Sequence, residues 1–117
     1  MNKEFIPHQQ ALELKELGFD EPCLGYYYNK ELSFGPRTSY GEVIEVPTFS
    51  QAFRFFREKY LLFGYPFPND YQKYGYRIVE MSSDGNNELF YDWGTKDTVE
   101  EAELTCLKKL IEIVRNK

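Results

Sequence analysis

The stretch Glu88-Leu-Phe-Tyr-Asp-Trp-Gly-Thr-Lys-Asp-Thr-Val-Glu-Glu-Ala-Glu-Leu-Thr-Cys-Leu-Lys-Lys-Leu-Ile-Glu-Ile-Val114 decides the fold class. Its first six residues alternate: Leu89, Tyr91 and Trp93 oppose Glu88, Phe90 and Asp92, which is the period of a strand. Thr98-Val-Glu-Glu101 then has the capping-box pattern, with acidic residues near the positive end of a helix dipole. From there the apolar spacing changes. Ala102, Cys106, Leu107, Leu110, Ile111, Ile113 and Val114 form one wide face at helical period. Strand followed by long amphipathic helix predicts an α+β chain.

Working outward, Ser82-Ser-Asp-Gly-Asn-Asn87 supplies a turn before this strand, and Tyr76 to Met81 makes its hairpin partner. Leu61 to Gly75 is punctuated by Gly64, Pro66, Pro68, Asn69 and Asp70 and reads as irregular. A second helix follows Pro47: Thr48-Phe-Ser-Gln51 repeats the capping pattern, and Phe49, Ala52, Phe53, Phe56 and Tyr60 share one face. Before it, Leu24-Gly-Tyr-Tyr-Tyr28 and Glu31-Leu-Ser-Phe34 flank Asn29-Lys30 as a hairpin, a loop covers Gly35 to Gly41, and Glu42 to Val46 is a short strand. The first helix opens at Pro7, carries Ala11, Leu14 and Leu17 along one side, and ends at Gly18. Gly18 followed by Phe19 fits a Schellman close, with Phe19 folded back on Leu14.

The expected fold is one α+β domain over 1–117: a mainly antiparallel sheet of four to five strands, with three helices packed largely on one face. The order is α-ββ(β)-α-ββ-α. Both later helices begin T-x-x-[E/Q]-A after a hairpin. An internal duplication and convergent use of a good helix start explain this equally well.

Composition narrows the function classes. The formal net charge is −5, without a basic run, so general nucleic-acid binding is not expected. No apolar stretch is long enough to cross a membrane, and no signal-peptide pattern opens the chain, so a cytoplasmic protein is expected. One His and two scattered Cys make no recognisable zinc site, and no metal or cofactor is expected. Phosphate-binding glycine loops and a G-x-S-x-G elbow are absent from the sequence.

The segments Glu4 to Cys23, Pro47 to Tyr60 and Glu101 to Val114 resemble small proteins of gut Bacteroides-type bacteria and their phages or other mobile elements. The resemblance covers most of the chain, least so from Leu61 to Asn87. It transfers no activity and no catalytic residue. It implies an accessory, phage-borne or mobile-element context.

Among candidate sites, His8 and Cys23 would form a nucleophile–base pair only if the first helix returned to the loop after it. A surface histidine and a small buried thiol is the simpler reading. The carboxylates Asp20 and Glu21, Glu42 and Glu45, and Glu100, Glu101 and Glu103 would need to converge in a cleft, whereas capping already accounts for the last group. Asp84 to Glu88 lacks the ligand spacing of a calcium loop.

The tyrosines carry the sharper idea. The chain has 10 Tyr, 10 Phe and a single Trp, and each buried tyrosine must find a partner for its hydroxyl. Tyr26, Tyr28, Tyr40, Tyr65, Tyr71 and Tyr74, with Arg37, are the candidate binding residues; Phe67, Tyr76, Arg54, Arg57 and Arg77 lie near them in sequence. The leading expectation is a non-enzymatic binding protein that engages a protein partner or small ligand through a tyrosine-rich surface. The alternatives are a small enzyme using carboxylates or His8, and a self-associating structural protein, which leaves a homodimer open.

Overall fold

The computed structural model describes residues 4–36, 43–85 and 87–117. Among these, the elements run α1 (His8–Glu16), β1 (Gly25–Tyr28), β2 (Glu31–Phe34), β3 (Ile44–Val46), α2 (Phe49–Tyr60), β4 (Leu62–Pro68), β5 (Tyr74–Glu80), β6 (Glu88–Lys96) and α3 (Val99–Arg115). The strands form two antiparallel three-stranded sheets, ordered β2-β1-β3 and β4-β5-β6. The chain divides into two compact units, one up to Gln51 and one from Ala52 onward.

In the first unit, α1 begins directly after Pro7, whose extended backbone makes it the N-cap rather than the first helical residue. The helix ends as expected. Gly18 takes φ 96°, and the Phe19 and Gly18 amides donate to the Leu14 and Lys15 carbonyls at 3.0 Å each, the paired bonds of a Schellman motif. Phe19 is buried there with Leu14 and Ala11. The β1–β2 hairpin pairs Tyr28 with Glu31 across Asn29-Lys30. Both turn residues have positive φ, 51° and 65°, as a type I′ turn requires. Chain entry is pinned by the Ile6 amide donating to the Pro47 carbonyl at 3.1 Å and by a Phe5–Thr48 bridge.

α2 is capped by Thr48, whose hydroxyl accepts the Gln51 amide N–H at 3.2 Å. Only half of the expected box forms, because the Gln51 side chain instead donates to the Pro22 carbonyl at 3.0 Å. Phe49, Ala52, Phe53 and Phe56 are buried as their spacing predicts, and Phe55 is buried with them.

The second unit corrects the expected sheet. Residues 62–68, read as irregular, are strand β4, paired with β5 from Leu62↔Glu80 to Pro68↔Tyr74. Pro66 and Pro68 are accommodated because β4 is an edge strand of its sheet, where a missing N–H breaks no ladder. Six strands in two sheets therefore replace four to five in one. Strand order differs between the sheets, so the shared helix start does not report a repeated topology.

α3 is capped by Thr98, whose hydroxyl accepts the Glu101 N–H at 3.2 Å, and it packs on β4 and β5. A Cβ added at Gly64 would meet Cys106 Sγ at 3.0 Å and Leu110 Cδ1 at 3.1 Å, which shows how closely the helix approaches. Leu62 and Ile78 are buried with Ala102, Cys106, Leu107, Leu110 and Ile111. This assigns one face of the second sheet to the core and leaves the other to solvent.

Candidate functional site

Strand alternation sorts the side chains of the second sheet between its faces. Phe90 pairs with Ile78, and Ile78 with Gly64, so these point toward α3; Lys109 Nζ of α3 sits 5.7 Å from the Phe90 ring centre. Tyr76 and Asp92, paired in register, share that side. Burial raises the Tyr76 hydroxyl pKa, with Asp92, Cys106 and Glu112 adding to the shift.

The opposite face carries the other residues. Phe63, Val79 and Leu89 are paired across the strands, as are Tyr65, Arg77 and Tyr91. With Phe67 and Trp93 they make an open aromatic groove. Tyr65, Phe67, Arg77, Leu89, Tyr91 and Trp93 line about 540 Å³ of it, and a continuing depression of about 530 Å³ shares Phe67 and Trp93 and reaches Asp70 and Tyr71. Trp93 is 72% exposed and Tyr71 85%. The Tyr91 and Trp93 rings meet edge to face at 5.0 Å, a favoured aromatic geometry that holds both rings in place.

Trp93 is set by an irregularity in the sheet. Tyr76 pairs with Asp92 but Tyr74 with Lys96, so Trp93, Gly94 and Thr95 stand opposite Gly75 alone. The backbones come so close that a Cβ at Gly75 would lie 2.0 Å from the Asp92 carbonyl oxygen. Only glycine fits. Asn69 fastens the same region from the β4–β5 turn. Its Nδ2 donates to the Trp93 carbonyl at 3.0 Å and the Gly94 carbonyl at 3.2 Å, while its Oδ1 accepts the Tyr71 and Lys73 amides at 2.9 and 3.0 Å. The Gly94 amide donates to the Asp92 carboxylate at 2.8 Å. Backbone and side-chain bonds thus hold Trp93 and the Tyr71 turn as one piece.

Charge on this face is sparse. Arg77 is exposed, and it is the one charged residue on the open side of the regular strands; Glu80, Glu88 and Asp92 have the opposite parity in the registers Leu62↔Glu80↔Glu88 and Tyr76↔Asp92. Among the described residues no ion pair or hydrogen bond engages the Arg77 guanidinium, whereas Lys73 pairs with Asp97, Lys109 with Glu112 and Lys117 with Glu80.

The candidate binding residues fall in different places in the fold. Tyr65 and Tyr71 line the groove system. Tyr74 is half-buried on the α3 side of the sheet. Tyr26 is only 5% exposed, with its hydroxyl donating to the Pro36 carbonyl at 3.1 Å; internal satisfaction of the hydroxyl lets it sit in the core, and it leaves the set. Tyr28 is half-buried in the first unit. Tyr40 and Arg37 lie outside the described residues. The residues missed were Leu89, Tyr91 and Trp93. Their alternation was visible, but three large apolar side chains set against Glu88, Phe90 and Asp92 are equally the pattern of a core-facing side.

Of the residues named for a catalytic alternative, Glu42 lies outside the described residues. His8 packs edge-on against Tyr27 at 5.1 Å, and the Cys23 thiol donates to the Glu21 carbonyl at 3.4 Å. Glu103 is pushed up by burial and by Glu100, and Cys106 by burial and Glu103 to about 12; neither lines the groove. Among the described residues no group of three or more His, Cys, Asp or Glu is arranged to hold a metal ion, and no helix is long and apolar enough to cross a membrane. No family model matches the chain, and no curated protein or solved structure matches it.

Proposed function

We propose that this chain is a non-enzymatic binding protein whose working surface is the open face of the second sheet. One observation carries the reading: Tyr65, Tyr91 and Trp93 surround Arg77 in a continuous exposed groove. A contiguous exposed apolar patch of this kind marks an interaction surface in a soluble chain. Trp, Tyr and Arg are also the residue types that dominate binding hot spots. The groove is open along its length, which suits a macromolecular segment better than an enclosed small ligand. The network on Asn69 supports the reading, since a rigid surface loses less conformational freedom on binding.

The test uses a displayed library of short random peptides selected on the wild-type chain. Enriched clones are expected to lose about 2 kcal/mol of binding, typical of a hot spot, on Trp93→Ala or Tyr91→Ala, and to keep wild-type affinity on Tyr28→Ala. The single tryptophan makes its own reporter: bound clones should shift Trp93 emission to the blue and shield it from iodide. Clones that bind the Tyr91→Ala/Trp93→Ala double variant as tightly as wild type would move the working surface elsewhere.

A further inference from the structure

We infer that the occupant of this groove is an extended peptide segment carrying one carboxylate between apolar side chains, with the carboxylate seated on Arg77. This rests on the binding reading above and adds the chemistry of the partner. Arg77 stands at the middle of its sheet face, with Tyr65 and Tyr91 in register on either side. Covering the groove strips water from the guanidinium, and a buried charge left unpaired is strongly unfavourable. No carboxylate on the same side of the regular strands is available to neutralise it, so the anion must arrive with the partner. A planar guanidinium fork binds a carboxylate through two parallel hydrogen bonds.

The spacing of the face gives the partner its form. Leu89, Tyr91 and Trp93 occupy alternate positions of β6, roughly 6.6 Å apart at the strand rise. Alternate side chains of an extended peptide have the same interval. A carboxylate over Arg77 therefore places apolar side chains two residues away against Leu89 and Trp93. Asp70 lines the far end beside Tyr71, where a basic side chain of the partner is accommodated.

Other occupants fit less well. A second copy related by a two-fold axis would bring the central Arg77 toward its own counterpart, without an acid on that strand face to separate them. Single-stranded nucleic acid would find aromatic platforms but only one guanidinium for its phosphates, in a chain of net charge −5.

The library selection described above, repeated with counter-selection on Arg77→Gln, tests the assignment. Enriched peptides are expected to hold one Asp or Glu with aliphatic or aromatic residues two positions to either side. Replacing that acid by its amide should weaken binding to wild type about 10-fold or more, the scale of a desolvated charge pair, leave binding to Arg77→Gln unchanged, and be partly retained on Arg77→Lys. Trp93 emission reads each titration. Enriched peptides without an acid, or an acid-to-amide loss that persists on Arg77→Gln, overturn the carboxylate assignment and leave the groove standing. Oligothymidylate binding tighter than the best peptide, or a dimer abolished by Trp93→Ala, also overturns it. No enrichment at all, or enrichment indifferent to Trp93→Ala, sinks the groove reading itself. A thermal melt of each variant separates misfolding from loss of contact.

Discussion

Lys30 holds φ 65° at the second position of the β1–β2 turn, a left-handed conformation that side chains with a Cβ disfavour. Asn29 before it, at φ 51°, is among the few residues that tolerate this region. Lys30 is exposed, so its replacement loses no buried contact. Lys30→Gly should therefore raise stability by about 1 kcal/mol, seen as a higher urea midpoint at unchanged slope. An unchanged midpoint would mean that the turn relaxes without cost. At this scale the sequence was most readable: Asn29 announced the turn, Gly18 and Phe19 the helix end, and Thr48 and Thr98 the caps. Each of these is a local conformational preference expressed within a few residues. Asn69 was less readable, because its bonds to Trp93 and Gly94 span the fold.

Elements were legible where one apolar period dominated. α2 and α3 bury most of the faces that their spacing predicts, with Tyr60, Ile113 and Val114 half-buried at their C-terminal ends. β4 was not legible, since Gly64, Pro66 and Pro68 all signal a break in the chain. Position overrides them: an edge strand has no outer partner for Pro to deprive, and Gly64 faces a closely packed helix. The candidate site was half readable for a related reason. Tyr65, Phe67 and Arg77 stood out as aromatics and a nearby cation, but Tyr91 and Trp93 are large rings in alternation, the pattern also expected of a core-facing strand. Only the placement of α3 on the other face decides between them. α3 itself depends on its first turn. Thr98→Ala removes the acceptor for the Glu101 N–H and should cost about 1 kcal/mol, measured by chemical denaturation of the intact chain. Thr98→Ser, which keeps the acceptor, should recover most of it.

For the molecule as a whole, the two cysteines report on different units: Cys23 is half-buried in the first and Cys106 fully buried in the second. Burial, followed by Glu103, raises the Cys106 thiol to about 12, so it stays protonated in the folded state well above the ordinary value of 9.0. Alkylation at pH 8 is expected to label Cys23 first and Cys106 only as denaturant opens the second unit. Equal labelling rates would contradict that burial. The same shift fixes the sign of a pH effect. The unfolded thiol ionises from about 9, while the folded one holds its proton to about 12. Stability contributed by the protonated thiol is thus complete below about 9 and falls as pH rises toward 12, a loss that Cys106→Ala should abolish in alkaline melts.

The prolines of β4 bear on how such a surface survives at cellular concentrations. A sheet with an aromatic face and free margins invites chains to stack and add strand to strand into fibrils. Pro66 and Pro68 sit on one margin of that sheet, where a newcomer strand would find amide donors missing at alternate residues. Polymer growth along that side is starved of hydrogen bonds, and the aromatic face stays available to a single visiting strand.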